Sequence, residues 1–344
     1  MAKDFDAVGT RLESFRRSVE MREEKDGYQR PRTLPPEPRR AVQLPMWPEP
    51  VRGGPNALLR SAFFAGIASK KRQKLGTQKK LDEEPEGITI AAQDGIKIKY
   101  AGTQLNQYDA DVFFEALHRA RYHPLETECI FTGNSFLKAI GRSGSEPNYD
   151  DLSNSLKRLR NGTVEIEWTI KGRHYIFTGS LVSHYIRETT SKLYKVTFAN
   201  QIRELFAPAC WTQLEWDERM GLKKKPLAQW LHSYYSTHAA PFPISVAFLH
   251  EKTGSPTKRR AHFRTEIRRA FDDLNEVLGW VAVWNGDIVT LKRPPSASQG
   301  RHLIENAHKR KQKRMPKRMP RGEGGLTAAS DLLPGLMKSL KILT

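Results

Sequence analysis

The chain has 344 residues, with 57 Lys and Arg against 38 Asp and Glu, a formal net charge of +19. That length leaves room for two domains with tails, and that charge points to nucleic acid or another anionic surface as partner. No run of 18 apolar residues and no apolar stretch behind the N-terminus occur, so neither a membrane span nor a secretory signal is expected, and Cys129 and Cys210, far apart, offer no zinc pattern or disulfide framework and read as core thiols of a cytoplasmic protein.

In chain order, residues 1–27 are polar, with weak helical periodicity at Leu12, Phe15 and Val19. Residues 28–55 are Pro-rich and are expected to form an extended linker. Inside it, Gln43-Leu44-Pro45-Met46-Trp47 sets a glutamine before spaced large apolar side chains. That is the pattern of a short peptide docking into a partner's pocket, with Gln43, Leu44, Met46 and Trp47 as its contacts. It is similar to the bacterial sliding-clamp-binding peptide, Met46 standing for Leu and Trp47 for Phe. The alternative is a tail that staples onto its own domain.

Residues 57–68 read as a short apolar helix, followed by a basic run over residues 70–80. Residues 88–92 and 96–100 alternate around Asp94-Gly95, which predicts a hairpin. Helices are predicted over residues 109–122, 131–140 and 150–160. The last has Leu152, Leu156 and Leu159 inward and Ser153, Asn154, Lys157, Arg158 and Arg160 outward. Alternating runs around Val164, Tyr175 and Tyr194 follow, with turns at Lys171-Gly172-Arg173 and residues 188–192. A joining helix is expected around residues 200–216, then helices over residues 226–237 and 244–252.

Residues 255–279 read as one helix, with Ser255 as N-cap, Pro256 at the first helical position and Gly279 as the stop. Phe263, Ile267, Ala270, Phe271, Leu274 and Leu278 form its apolar stripe. The other face carries Lys258, Arg259, Arg260, Arg264, Arg268 and Arg269 first and Asp272, Asp273 and Glu276 last. A helix serving its own dipole would reverse that order, so an external polyanion explains the bases better than a merely solvated face does. Residues 280–284 and 287–291 then alternate about Asn285-Gly286, a strong hairpin signal. Beyond Arg293, residues 309–321 carry bases without an acid and are expected to be disordered, adding nonspecific phosphate affinity or solubility. Residues 332–343 allow a weak amphipathic helix.

Helices followed by a hairpin, twice over, give an α+β chain of two tandem winged-helix domains. The expected division is a flexible segment (1–55), a first winged helix for dimerisation or DNA (56–206), a second for DNA reading (207–292) and a basic tail (293–344). Expected DNA contacts are Thr257, Lys258, Arg259, Arg260, Arg264 and Arg268, with Ser153, Asn154, Lys157, Arg158 and Arg160 as the first module's analogous set. Lys171, Arg173 and Asn285 are expected wing contacts.

Two such modules behind a Pro-rich, clamp-like peptide resemble the iteron-binding plasmid replication initiators, and more specifically the TrfA family. The resemblance rests on Trp47-Pro48, NALLRSAFF (56–64), IKIKYAG (96–102), residues 117–131, the helix of Leu152 to Leu159, and KPLAQWLHSYYSTHAAPFP (225–243). Met46-Trp47 and the basic tail depart from the family's pattern. The resemblance implies a cytoplasmic initiator that binds direct repeats as a monomer and helps melt an AT-rich region. It also implies host DnaA, replicative helicase and sliding clamp as partners, and an inactive homodimer that restrains copy number. A transcriptional repressor using the same readers is the alternative. No cofactor, metal or enzymatic activity is expected: there is no P-loop, no His-x-His pair, and Tyr234-Tyr235 between His232 and His238 fits a core face rather than a nicking site.

Overall fold

The computed structural model describes residues 41–76, 87–92, 95–170 and 172–314. Residues 41–55 of the Pro-rich segment are folded, where a flexible linker was expected. Leu44 and Trp47 are each 3% exposed within a first core. β1 (Val51–Pro55) pairs antiparallel with β12 (Trp211–Glu215), Val51 opposite Glu215. Two of the apolar side chains that suggested a docking peptide, Leu44 and Trp47, hold the segment down. Burying each is worth roughly 1.5–3 kcal/mol, enough to order a short extended stretch.

Trp47 Nε1 donates to Nδ1 of buried His118 at 3.0 Å, and His118 Nε2 lies 2.9 Å from Glu49 Oε2. The ring is therefore held neutral, with its proton on Nε2. Burial, opposed by the Glu49 hydrogen bond, lowers its pKa from 6.5 to about 4. Between those values the unfolded chain binds a proton that the folded one refuses. Stability from this group is complete above 6.5 and is lost as pH falls toward 4, on the order of 3 kcal/mol. His232 and His238 are lowered by burial too and add in the same direction. Urea unfolding at stepped pH is expected to show this acid loss, and His118→Gln to flatten it.

α1 (Asn56–Leu59) is one turn, shorter than the helix expected over residues 57–68. Phe63 and Phe64 are both buried with their rings edge to face at 5.1 Å, and the chain leaves the helix after Leu59 and is extended from Phe64. Accordingly β2 (Phe64–Ala65) pairs in parallel with β6 (Leu105–Asn106). β3 (Lys74–Leu75), β5 (Ile96–Thr103), β8 (Thr163–Ile170) and β9 (Arg173–Gly179) form one sheet, with β4 (Ile88–Ile90) also on β5, as the first hairpin predicted. α2 (Gln107–Ala120) is the centre of this half: Asn106 and Asp109 close a capping box, and Val112, Phe113, Phe114 and Leu117 are fully buried.

The helix expected over residues 131–140 is divided between β7 (Cys129–Thr132) and α3 (Gly133–Ala139), because Phe131 stacks on Tyr194 of the neighbouring strand. α4 (Glu146–Asn161) buries Leu152, Leu156 and Leu159 as expected. β10 (His184–Glu188), β11 (Leu193–Thr197) and β7 complete a second sheet. In place of the joining helix come a 3₁₀ turn (Asn200–Phe206), β12 and α5 (Trp216–Gly221). The first core thus runs to Trp216, past the expected boundary at 206, and a second begins at Leu222.

The second core lies under α6 (Pro226–Ser236), β13 (Ile244–Ser245), α7 (Val246–Lys252), α8 (Arg260–Leu278), β14 (Val281–Asn285) and β15 (Ile288–Lys292). Its sheet order is β13-β15-β14. Arg219 of α5, fully buried, ties the two cores together. Its Nε donates to Asp111 Oδ1 (2.6 Å), Nη1 to Ser233 Oγ (2.6 Å) and Nη2 to Gln107 Oε1 (3.0 Å). The architecture is mixed helix and strand, α+β. Residues from Pro295 form a separate unit, in which α9 (Ala297–Arg314) is helical where disorder was expected to begin. The rest of the basic tail lies outside the described residues.

Candidate nucleic-acid interface

α8 begins at Arg260, later than the expected Ser255. Ser255 Oγ accepts from Thr257 N at 3.3 Å, and Thr257 O accepts from His250 Nε2 at 2.7 Å, so Ser255 caps a local turn instead of the helix. The helix N-terminus has no side-chain cap, and Lys258, Arg259 and Arg260 stand exposed around it. Free backbone N–H groups ringed by cations favour an anion there. Phe263, Ile267, Ala270, Phe271 and Leu274 are buried as the periodicity required, and Gly279 ends the helix at φ 68°.

The inverted charge order has a local cause at one end and a different pattern at the other. The acidic end holds Lys225, which lies 2.8 Å from Asp273 and 3.6 Å from Glu276 and whose pKa the Asp273 hydrogen bond raises. At the basic end, Arg264 Nη2 forms an ion pair with Asp287 Oδ1, and the Arg268 guanidinium lies 4.2 Å over the Trp284 ring, both partners belonging to the hairpin. Arg268 is half-buried there, so its expected freedom for base contact is reduced. Thr257 Oγ1 donates to Glu266 Oε2 at 3.0 Å. Asn285 is exposed, and Gly286 (φ 59°) with Asp287 forms the two-residue turn, one position later than Asn285-Gly286.

On α4 the expected set divides. Ser153 is 7% exposed; its Oγ donates to Tyr149 O at 3.0 Å, lies 3.1 Å from Tyr194 Oη and accepts from Arg187 Nη1 at 3.1 Å. Arg158 places Nε and Nη2 on Asp109 Oδ1 at 3.0 and 2.7 Å. Both therefore have partners within the fold, Ser153 buried and Arg158 half-buried at the edge of the groove that Asn154 and Lys157 line. Asn154, Lys157 and Arg160 are exposed. Asn154 and Lys157 line a groove of about 540 Å³ whose opposite wall includes Lys74, Gly76 and Thr103. Sequence reading missed Lys74 as a partner of α4, although it lies in the basic run after residue 70. Arg173 is exposed at the start of β9, and Lys171 lies outside the described residues.

In the docking-peptide segment, Gln43 Nε2 donates to Arg121 O at 2.9 Å and Met46 is 56% exposed, while Leu44 and Trp47 are in the core. A partner can take those two only in exchange for their contacts here. Tyr234 and Tyr235 are fully buried, which keeps both hydroxyls from a phosphodiester. Among the described residues no group of three or more His, Cys, Asp or Glu is placed to hold a metal ion.

The model of the TrfA family, described as TrfA protein, matches residues 40–293. The plasmid replication initiator protein TrfA of Escherichia coli is 25% identical over 252 residues, 72% of this chain and 63% of that protein, so the chain spans less than two thirds of that relative. Among solved structures, domains 2 and 3 of RctB align with a TM-score of 0.45 at 12% identity, over 69% of this chain and 96% of that one. The Pi initiator protein in complex with iteron DNA aligns with a TM-score of 0.39 at 11% identity, over 53% of this chain and 89% of that one.

Proposed function

The chain belongs to the TrfA family, and from that premise we propose that it is a plasmid replication initiator that binds duplex DNA at direct repeats of an origin. The observation that carries this reading is the basic beginning of α8, exposed beside a β-hairpin while its apolar stripe is buried. Each half is read as a winged helix. α8 is the major-groove reader of the second half, with hairpin β14–β15 as its wing and Lys258 and Arg259 set for phosphates. In the first half, Asn154 and Lys157 beside Lys74 supply a second, phosphate-directed contact. Opening of adjacent AT-rich DNA and recruitment of host DnaA, helicase and sliding clamp are the later steps this reading entails.

Footprinting on the replicon that carries the gene tests it, at about 150 mM salt with competitor DNA, because basic proteins coat any duplex at low salt. A row of protected direct repeats supports the initiator. A single protected palindrome would favour a repressor. Arg260→Ala is expected to weaken cognate binding by about 10- to 100-fold, the loss of one bidentate base contact, with the unfolding transition unmoved. Unchanged affinity for the repeat would remove α8 from the reading role.

A further inference from the structure

Arg264 lies one turn beyond Arg260 on the exposed face of α8, yet its guanidinium is not free: Nη2 is paired with Asp287 Oδ1. The carboxylate sits on a fixed backbone. Asp287 O accepts from Val246 N at 2.8 Å, and the two-residue turn is closed by the Asn285–Ile288 pair. Trp284, three residues earlier, is held edge-on against buried Phe271 at 5.4 Å and carries Arg268 on its face. The hairpin thus reaches back over the reader with one anion and one aromatic ring, and each takes an arginine that the basic face would otherwise offer outward.

We infer that Asp287 is an internal competitor that DNA must displace before Arg264 can contact it. The inference rests on the DNA-reading role proposed above and adds a residue that sets its strength. An incoming phosphate or guanine edge and the Asp287 carboxylate are acceptors for the same guanidinium donors, so one leaves as the other arrives. The pair is about 40% exposed on both sides, so its loss is a modest cost that the many contacts of a duplex overcome. Until then, one cation of the reader face is cancelled.

The test is the affinity of the full chain for a labelled duplex carrying its protected repeat, measured over a range of salt. Asp287→Asn keeps the turn residue's shape and removes its charge. It is expected to bind about two- to fivefold more tightly, the range an exposed ion pair spans. Its log–log salt slope is expected to steepen by about 0.9, one further counterion released. Asp272→Asn, an exposed acid on the same helix, makes the same change in net charge without touching Arg264 and is expected to stay close to wild type. Equal tightening in both variants would mean net charge alone is responsible and would overturn the inference. Weaker binding by Asp287→Asn would overturn it too, by making Asp287 a support that aims Arg264. If the wild-type chain fails to bind any duplex, the DNA reading falls and takes this inference with it. Binding by wild type without tightening in Asp287→Asn removes the inference alone.

Discussion

Arg219→Ala is expected to lower the unfolding free energy by about 3–5 kcal/mol, the cost of stripping one partner from a buried ion pair. Asp111 is 6% exposed and draws its charged hydrogen bond from Arg219, with Gln229 Nε2 at a looser 3.3 Å. Without the guanidinium, the Gln107 side-chain oxygen would lose its donor and the Asp111 carboxylate would keep only Gln229 Nε2. Arg219→Lys restores charge but not the fork that reaches Asp111, Gln107 and Ser233 together, so it should recover only part of the loss. Denaturant unfolding followed by tryptophan fluorescence measures both. A loss below about 1 kcal/mol for the alanine variant would show that the two cores do not depend on this junction.

Trp47→Ala is expected to cost about 3–5 kcal/mol, in the range of large aromatic truncations in cores. The ring stacks on Phe206 at 5.8 Å, tilts against Trp211 at 5.6 Å and donates to His118. Met46→Ala, one residue away and 56% exposed, is expected to stay within about 0.5 kcal/mol. The pair of measurements also bears on the docking-peptide reading. A small effect of Trp47→Ala would mean that the segment leaves the core at little cost and is available to a partner. A large one would mean that any partner competes with the fold.

What could be read in the sequence was whatever repeats at short range. The stripe from Phe263 to Leu274, the leucines of α4 and the two hairpins around Gly95 and Gly286 all follow from local period and turn chemistry. What could not be read depends on partners from distant positions. Ser153 and Arg158 look like free polar residues on a helix face until Arg187, Tyr194 and Asp109 are brought against them. Residues 41–55 look unfoldable because their prolines bar a helix, while the strand that fixes them is β12, contributed from the other end of the half. The charge order of α8 was legible as an anomaly. Its acidic end found an internal cation in Lys225, a partner that no local pattern announces.

The pairing of β1 with β12 also orders events in time. β1 is synthesised near the start of the first half, and its partner strand appears only after nearly all of that half has been made. Trp47 therefore lacks its Phe206 and Trp211 neighbours on the growing chain until those residues arrive, and closing so long a loop costs entropy before any contact repays it. The second half, whose helices and hairpin contact near neighbours in sequence, carries no such delay. Newly made chains thus pass through an interval in which most of the first half has been made and its aromatic seam is still open, when aggregation is the main hazard.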